Sequence, residues 1–337
     1  MTDLELRRVK PRDEDRRDYE VLTRECGFVD FSGRTQLELR GEDRQRFLHN
    51  LCTNDIQRLK PQQGCEAFVT KVNGKCLGHV FVFVTEASLI VESSPDQAAT
   101  LLPHLDRYHI TEDVELIDRS QDWGELLVAG PQAVSWIARL TDGDRLAVMY
   151  SHRAIRCDGI AAWVRRVPLT SEPSYLVAAA RADLSAVEEC LRSHGVRACT
   201  AAAFHMARIE AGFPWYGWDI TDRNLPQEVN RNEAAISFTK GCYLGQETVA
   251  RIDALGHVNR LAVALRCDAP EAPDAGTPLK FDQEIVGEVT SSADSPRLGA
   301  PLALAYVRCP HADPGTTLTL PDATATVVRL PVGRAEG

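Results

Sequence analysis

Residues 240–247 read Lys240-Gly241-Cys242-Tyr243-Leu244-Gly245-Gln246-Glu247, a thiol framed by glycines with a lysine before it and a Gln-Glu pair after it. Glycine is costly inside regular structure and free to take positive φ, so two glycines four residues apart point to a shaped loop. A cysteine carried on such a loop beside a cation can have a lowered pKa and react as a thiolate. Packed into a turn, the same cysteine would be a small half-buried apolar residue. A second chemically loaded stretch runs from Arg208 to Glu228. Its Glu210 falls in the last turn of a helix expected over Thr200–Ala211 and closed by Gly212. The helix dipole disfavours a carboxylate there by roughly 0.3–1 kcal/mol, so something should compensate.

A ligand edge bearing two adjacent N–H donors would do so, since a carboxylate accepts both in parallel. The pterin ring of a folate has such an edge. Trp215, Tyr216 and Trp218 follow within eight residues and offer stacking surfaces. An exposed glutamate with an aromatic turn plugging a domain interface would account for the same residues.

The elements that must position these groups can be read from periodicity. Gln36–Arg40 alternates as a half-buried strand. Phe47, Leu48 and Leu51 mark one face of a helix over Glu42–Leu51. Ala67–Val72 and Leu77–Val84 read as strands joined through Asn73-Gly74, a strong hairpin signal, and Leu89–Glu92 adds a third. Ser94-Pro95-Asp96-Gln97 predicts a capped helix start. Gly130-Pro131 opens another helix. Strands at Ala161–Val167 and Tyr175–Ala179 precede a helix over Leu184–His194 with Gly195 as its cap. Helices on one face of antiparallel sheets give an α+β class. From Asn259 onward, short strands at Leu261–Arg266, Glu284–Ser291, Ala303–Val307 and Ala323–Arg329 alternate with Pro/Gly turns, the pattern of a small antiparallel barrel.

The 337 residues exceed one ordinary core, and their 44% hydrophobic and 26% charged content is that of a globular chain. A net charge of −10 disfavours direct nucleic-acid binding. The 10 cysteines contain no C-x-x-C, so neither a zinc ribbon nor a thioredoxin motif is expected. Apart from Cys242 they read as reduced packing residues, and no metal site is expected. The first 20 residues mix arginine with acid and match neither a transit nor a signal peptide. The apolar run Val80–Val84 is too short to span a bilayer. A cytoplasmic monomer is expected.

Two segments together carry a family resemblance. Arg208-Ile209-Glu210-Ala211-Gly212, Tyr216-Gly217-x-Asp219-Ile220 and Pro226-x-Glu228 resemble the glycine cleavage T-protein, an aminomethyltransferase. Lys240-Gly241-Cys242-Tyr243-x-Gly245-Gln246-Glu247, followed by Val249-Ala250-Arg251 and Asn259-Arg260, is similar to the YgfZ branch of that superfamily. The resemblance covers residues 28–332. It implies a three-domain ring of helix-packed antiparallel sheets closed by a C-terminal antiparallel β-barrel. The division expected is a charged arm over 1–27, two interleaved α+β domains that bind folate over 28–248, and a barrel domain over 249–332.

The resemblance further implies a bound tetrahydrofolate or one-carbon derivative. Glu210 would hold the pterin edge, and Phe204, Tyr216, Arg208 and Arg251 would line the site. Cys242 would be the working thiol, with Lys240 beside it, although Lys240, Gly245 and Glu247 recur in T-protein-like sequences and can be scaffold. Asn54 and Asp55 resemble the T-protein's Asn-Asp turn or simply end a helix. One departure matters. The T-protein carries a catalytic aspartate on the strand after the hairpin, whereas Lys75-Cys76-Leu77-Gly78-His79-Val80 has no carboxylate. His79 could take its place, or could be a strand histidine facing solvent or a neighbouring sheet. The function implied is a folate-binding protein supporting iron–sulfur cluster assembly or repair in client enzymes, indirectly including tRNA modification, with iron–sulfur client or assembly proteins as partners. A folate-dependent aminomethyl- or methyltransferase is the alternative, and a ligand-free adaptor a third.

Overall fold

The structure, a computed structural model, describes residues 8–256 and 258–332. The part of the charged arm before Arg8 lies outside the described residues. The architecture is mixed α+β, with antiparallel sheets and a closed six-stranded C-terminal barrel.

The first sheet runs Gly64–Thr70, Cys76–Val84, Ser88–Pro95, Arg34–Arg40, Glu115–Asp118, all antiparallel. Its hairpin turns at Asn73-Gly74, where Gly74 takes φ +76° as such a turn demands. Cys76–Val84 is buried along its whole length. Strand alternation explains why: Val80 and Val82 pack with Leu101 and Leu105 of the helix Ala98–Asp106, while Phe81 and Phe83 face the middle of the molecule. That helix starts later than its sequence suggested. The strand continues through Pro95, and Gln97 is the N-cap without a side-chain cap. The Gln97 N–H is instead bonded by Thr35 Oγ1 at 2.8 Å, which leaves no role for the capping box at Ser94.

The second sheet runs Arg197–Ala198, Gly27–Asp30, Trp123–Ala129, Ser174–Ala180, Ile160–Val167, His152–Cys157. Only its first pair is parallel. Leu126 and Val128 pack under the helices Ala133–Leu140 and Leu184–Ser193, while Leu127 and Ala129 join the central core. Two cysteines expected to be packing thiols, Cys157 and Cys190, are disulfide-bonded. They lie 33 residues apart, and the helix Leu184–Ser193 brings them together by docking on the end of the edge strand.

The first sheet is inserted into the second. The chain leaves Gly27–Asp30 through residues 31–33 and returns to Trp123–Ala129 through residues 119–122. Arg181 clamps both crossings: its Nη2 donates to the Ser32 and Ser120 carbonyls at 2.9 and 2.8 Å, and its Nε to the Gln121 carbonyl at 2.8 Å.

The barrel closes in the order Glu284–Ser295, Pro278–Phe281, Thr317–Thr319, Thr324–Val328, Arg260–Cys267, Ala300–Arg308 and back to Glu284–Ser295. Arg8–Val9 adds a parallel strand against Ser292 and Ala293. Between the barrel and the helix Asp13–Arg24 lies the helix Ala201–Ala211, capped by Thr200 Oγ1 and ended by Gly212 at φ 72°. Ala202 to Glu210 are all buried, as expected for a helix enclosed on every side. No helix among the described residues is long and apolar enough to cross a membrane.

Candidate functional site

The loop that carries Cys242 is fixed from behind. The Lys240 ammonium donates to the carbonyls of His49, Cys52 and Asn54 at 2.5, 2.7 and 2.9 Å, which uses all three of its protons. Those carbonyls belong to the end of the helix Arg44–His49 and the turn after it, where exposed acceptors need a donor. Burial pulls the Lys240 pKa down, opposed by the acidic neighbours. Its ammonium also lies 4.8 Å from the centre of the buried Tyr243 ring. Lys240 is therefore a bolt for the loop, not the activating cation expected beside the thiol.

Further along, Leu244 N–H bonds the Asn50 carbonyl and Thr70 Oγ1 bonds the Leu244 carbonyl, at 2.9 and 2.6 Å. Gly245, at φ +80°, sits so close to the hairpin that a Cβ would meet the Lys71 carbonyl at 2.4 Å. Cys242, by contrast, is exposed; the other free cysteines are buried or half-buried. Arg251 is also exposed, on the helix Gln246–Leu255 that follows.

Glu210 occupies the last turn of its helix as its sequence suggested, and is 1% exposed. The compensation it requires comes from inside the chain. Tyr19 donates to Oε2 and Ser295 to Oε1, each at 2.6 Å, the Arg297 N–H reaches Oε1 at 3.2 Å, and the Arg297 guanidinium lies 3.6 Å from Oε2. Burial and the adjacent Glu210 push the Tyr19 hydroxyl up, so it stays protonated and donates. Both carboxylate oxygens are thus occupied by partners from the chain. Arg208 is likewise internal: it donates to Asp219 at 2.8 Å and to the Phe213 carbonyl at 3.0 Å. Asp219 also accepts from Trp215 N–H, Thr290 and Ser291. This pins the turn 213–219 to the barrel and sets its aromatics in place. Tyr216 is buried with Phe68, Cys76 and Val229.

Phe204, Phe31 and Trp215 meet edge to face, with ring centres 4.8–6.0 Å apart. Together with Arg34, His205 and Trp218 they line a cavity of about 170 Å³. The Arg34 guanidinium lies 5.4 Å from the Trp215 ring centre and 5.8 Å from that of Phe81. Behind it, between the two sheets, is a buried set of charges that motif reading missed: Glu92, Glu125, Arg165 and Gln36. Arg165 contacts Glu92 and lies 3.1 Å from Glu125, which is 3.6 Å from Arg34. Gln36 Nε2, Glu92 Oε2 and Glu125 Oε2 have no hydrogen-bond partner. Burial pushes the Glu125 carboxyl up to about 7, against the pull of Arg34.

His79 does not face solvent. It is sandwiched between Phe68 and Phe213, at ring distances of 5.0 and 5.5 Å, and its Nε2 lies 2.7 Å from Glu66 Oε1. Glu66 is fully buried and also takes Tyr150 at 2.6 Å and the Arg231 guanidinium. Burial opposes its ionisation, but Arg231 and then His79 outweigh burial and hold the carboxyl well below the usual range. Burial lowers the His79 pKa, keeping the ring neutral despite Glu66. Phe81 packs with His79, Phe213 and Tyr150 and also meets the Arg34 guanidinium, so Arg34 links the cluster to the cavity that it lines. The strand that lacks the T-protein's carboxylate thus presents a histidine held by one.

The interleaved sheets and the closing barrel define an aminomethyltransferase-like fold of the folate-binding type. The chain belongs to the glycine cleavage T-protein family: residues 10–240 match the GCVT N-terminal domain and residues 260–332 the glycine cleavage T-protein C-terminal barrel domain. A putative chloroplastic transferase of Arabidopsis thaliana is 26% identical over 306 residues, covering 89% of this chain and 69% of the relative. An aminomethyltransferase of Streptomyces avermitilis is 26% identical over 322 residues, covering 93% and 86%. The glycine cleavage system aminomethyltransferase T of Bartonella henselae has the same fold, with a TM-score of 0.84 at 19% identity over 94% of this chain and 88% of that one.

Two expectations follow. Glu210→Gln lowers stability by about 1–3 kcal/mol, because it weakens a buried charged hydrogen-bond set; urea unfolding reads the loss, and a Tyr19→Phe background reduces it. The second concerns pH. Stability contributed by His79, His152 and His205, all lowered by burial, is present above the ordinary histidine value and lost as pH falls. Glu125, raised to about 7, works the other way, with its contribution present below the ordinary glutamate value and lost as pH rises through about 7. In Glu125→Gln that opposing gain is gone, so unfolding free energy should fall more steeply from about pH 7 to about pH 5 than in the wild type. Parallel slopes would mean that Glu125 is not held uncharged.

Proposed function

We propose that this chain is a tetrahydrofolate-binding protein of the YgfZ type that supports iron–sulfur cluster assembly or repair in client enzymes, with Cys242 as its working thiol. The observation that carries this reading is the contrast within one loop: Lys240, Tyr243, Leu244 and Gly245 are all fixed to the body, and Cys242 alone among the free cysteines is exposed. A lone thiolate cannot hold a usual cluster, which takes four. The role is therefore transient contact with a client or its cluster, which are substrates here, and iron–sulfur client or assembly proteins are the partners.

The folate part is supported by chemistry in the chamber. Phe31, Phe204 and Trp215 offer flat apolar surface and Arg34 a cation, and behind Arg34 lie Gln36, Glu92 and Glu125 with buried atoms that lack hydrogen-bond partners. Such atoms are costly unless a ligand or water satisfies them. These residues fit a heteroaromatic group with polar edges. When bound, tetrahydrofolate supplies a nitrogen that carries one-carbon units. Glu210 would have to release Tyr19 or Ser295 to reach a pterin, which leaves Arg34 as the cation that lines the chamber. Tyr216 supports the wall from behind, and Arg251 lies outside the chamber.

A second reading, a folate-dependent one-carbon transferase, is favoured by one observation: neutral His79, fixed by Glu66, beside the chamber. A histidine held in one tautomer by a carboxylate is suited to moving a proton. Formation of methylene- or methyl-tetrahydrofolate from a donor, lost in His79→Ala, distinguishes this reading.

Cys242→Ser should abolish support of iron–sulfur enzyme activities in cells while leaving folding and folate binding unchanged; full complementation by the serine variant overturns the thiol's role. Titration with tetrahydrofolate should quench tryptophan fluorescence, with affinity lost in Trp215→Ala and kept in Glu210→Gln. A drop in affinity in Glu210→Gln would return that residue to the ligand site, and no quenching in the wild type would remove folate from the chamber.

A further inference from the structure

The turn Cys157-Asp158-Gly159 at the edge of the six-stranded sheet faces the helix Leu184–Ser193, and the Cys157–Cys190 disulfide joins the two. Two more donor groups lie close to the Cys190 sulfur. His194 Nδ1 lies 4.0 Å from Cys190 Sγ, and the ligand atoms of Asp158, Cys190 and His194 are all within 4.8 Å of one another. A disulfide calls for neither an imidazole nor a carboxylate beside it, because its sulfurs carry no charge and accept hydrogen bonds weakly. Cys190 and His194 are four apart in sequence and share one side at the helix end, while the turn supplies the second sulfur and the carboxylate. Cys190 Sγ, a ring nitrogen and a carboxylate oxygen therefore meet in one small volume, with Cys157 bonded to that sulfur. It shares no residue with the aromatic chamber or the Cys242 loop.

We propose that, once the disulfide is reduced, Cys157, Cys190, His194 and Asp158 form a zinc site. Two thiolates and an imidazole select zinc over magnesium or calcium, and four such donors satisfy its tetrahedral preference. Bonds of about 2.3 Å place two zinc-bound sulfurs about 3.8 Å apart. The Cα atoms lie 6.4 Å apart, toward the long end of the disulfide range, so side-chain rotation supplies that spacing without moving the sheet. His194 Nδ1 now lies 2.8 Å from the Cys190 carbonyl, and rotation of the ring about its Cβ–Cγ bond exchanges that contact for the metal.

The redox step balances simply. A dithiol reductant gives two electrons and two protons to the Cys157–Cys190 bond and leaves as its own disulfide, producing two thiols. Zinc then binds both as thiolates and releases their two protons, with no change in its oxidation state. In the reverse direction a disulfide oxidant takes two electrons from the thiolates and two protons from water, leaves as two thiols, re-forms the Cys157–Cys190 bond and so expels the metal. The helix is tied to the turn in either form, by a disulfide or by zinc, and zinc occupancy follows the thiol state of the surroundings.

Cobalt is the probe. The full-length protein, reduced with a phosphine under anaerobic conditions, is titrated with Co²⁺ alone. One equivalent should give a thiolate-to-cobalt charge-transfer band with tetrahedral visible absorption, bleached by Zn²⁺ and absent from the oxidised protein. The Cys157→Ser/Cys190→Ser double variant should lose the band. His194→Gln and Asp158→Asn alter exposed side chains, so they test the site whether or not the serine variant folds. His194→Gln should keep the thiolate band but weaken cobalt binding by at least about tenfold, as even outer-shell losses at metal sites do. Asp158→Asn should weaken it in the same direction. No thiolate band in the reduced wild type, an undiminished band in the double serine variant, or unchanged affinity in His194→Gln each overturns the proposal.

Discussion

The carboxylate of Glu210 stands where a helix dipole opposes it and water is excluded, and it persists because three parts of the chain give it donors. Tyr19 comes from the first helix, while Ser295 and Arg297 come from the end of a barrel strand and the turn beyond it. An unpaired charge in that position would cost several kcal/mol. Its helix must therefore stay between the N-terminal helix and the barrel, and the turn 213–219 follows. Arg208, two residues before Glu210, and Asp219 hold that turn to Thr290 and Ser291 of the same barrel strand. Trp215 and Phe213 inherit their positions from this tie, and with them the wall of the chamber and one face of His79.

The same economy governs the thiol loop. A lysine spent on three carbonyls makes a rigid mount, and a rigid mount lets one exposed side chain be presented without ordering costs being met anew at each encounter. The chamber is built differently. Behind its Arg34 the buried polar groups are incompletely matched, with orphaned atoms on Gln36, Glu92 and Glu125. Such groups destabilise an empty fold and gain most from a ligand that satisfies them.

Much of this was legible in the residues. The Asn73-Gly74 hairpin, the Thr200–Gly212 helix limits and the barrel texture after Asn259 follow from local chemistry, and the structure has them. The strand Trp123–Ala129 did not stand out, because Leu126–Ala129 is apolar on both faces and so lacks alternation. His79 is ambiguous in sequence for the same reason: on a strand buried throughout, the pattern does not say whether a side faces solvent or another layer. Lys240 was read with its chain neighbour Cys242, yet its partners lie 186–191 residues away. The Glu210 partners and the Cys157–Cys190 bond are equally non-local. Local periodicity reports neighbours along the chain, and this site is made of groups from opposite ends of it.

The Arg181 clamp gives the inserted five-stranded sheet a common gateway. Entry and exit of that sheet pass side by side under one guanidinium, much as in a domain spliced into a host at a surface point. The host sheet pairs Gly27–Asp30 directly with Trp123–Ala129, so its ladder is continuous across the point of insertion. The guest is nonetheless packed on its host, with Phe81 and Phe83 in one core with Leu127 and Leu176 and Arg165 in contact with Glu92. In evolutionary terms, the guest carries both the hairpin beneath the thiol loop and the strand bearing His79, so chemistry could diverge within it while the host sheet and its packing stayed the same.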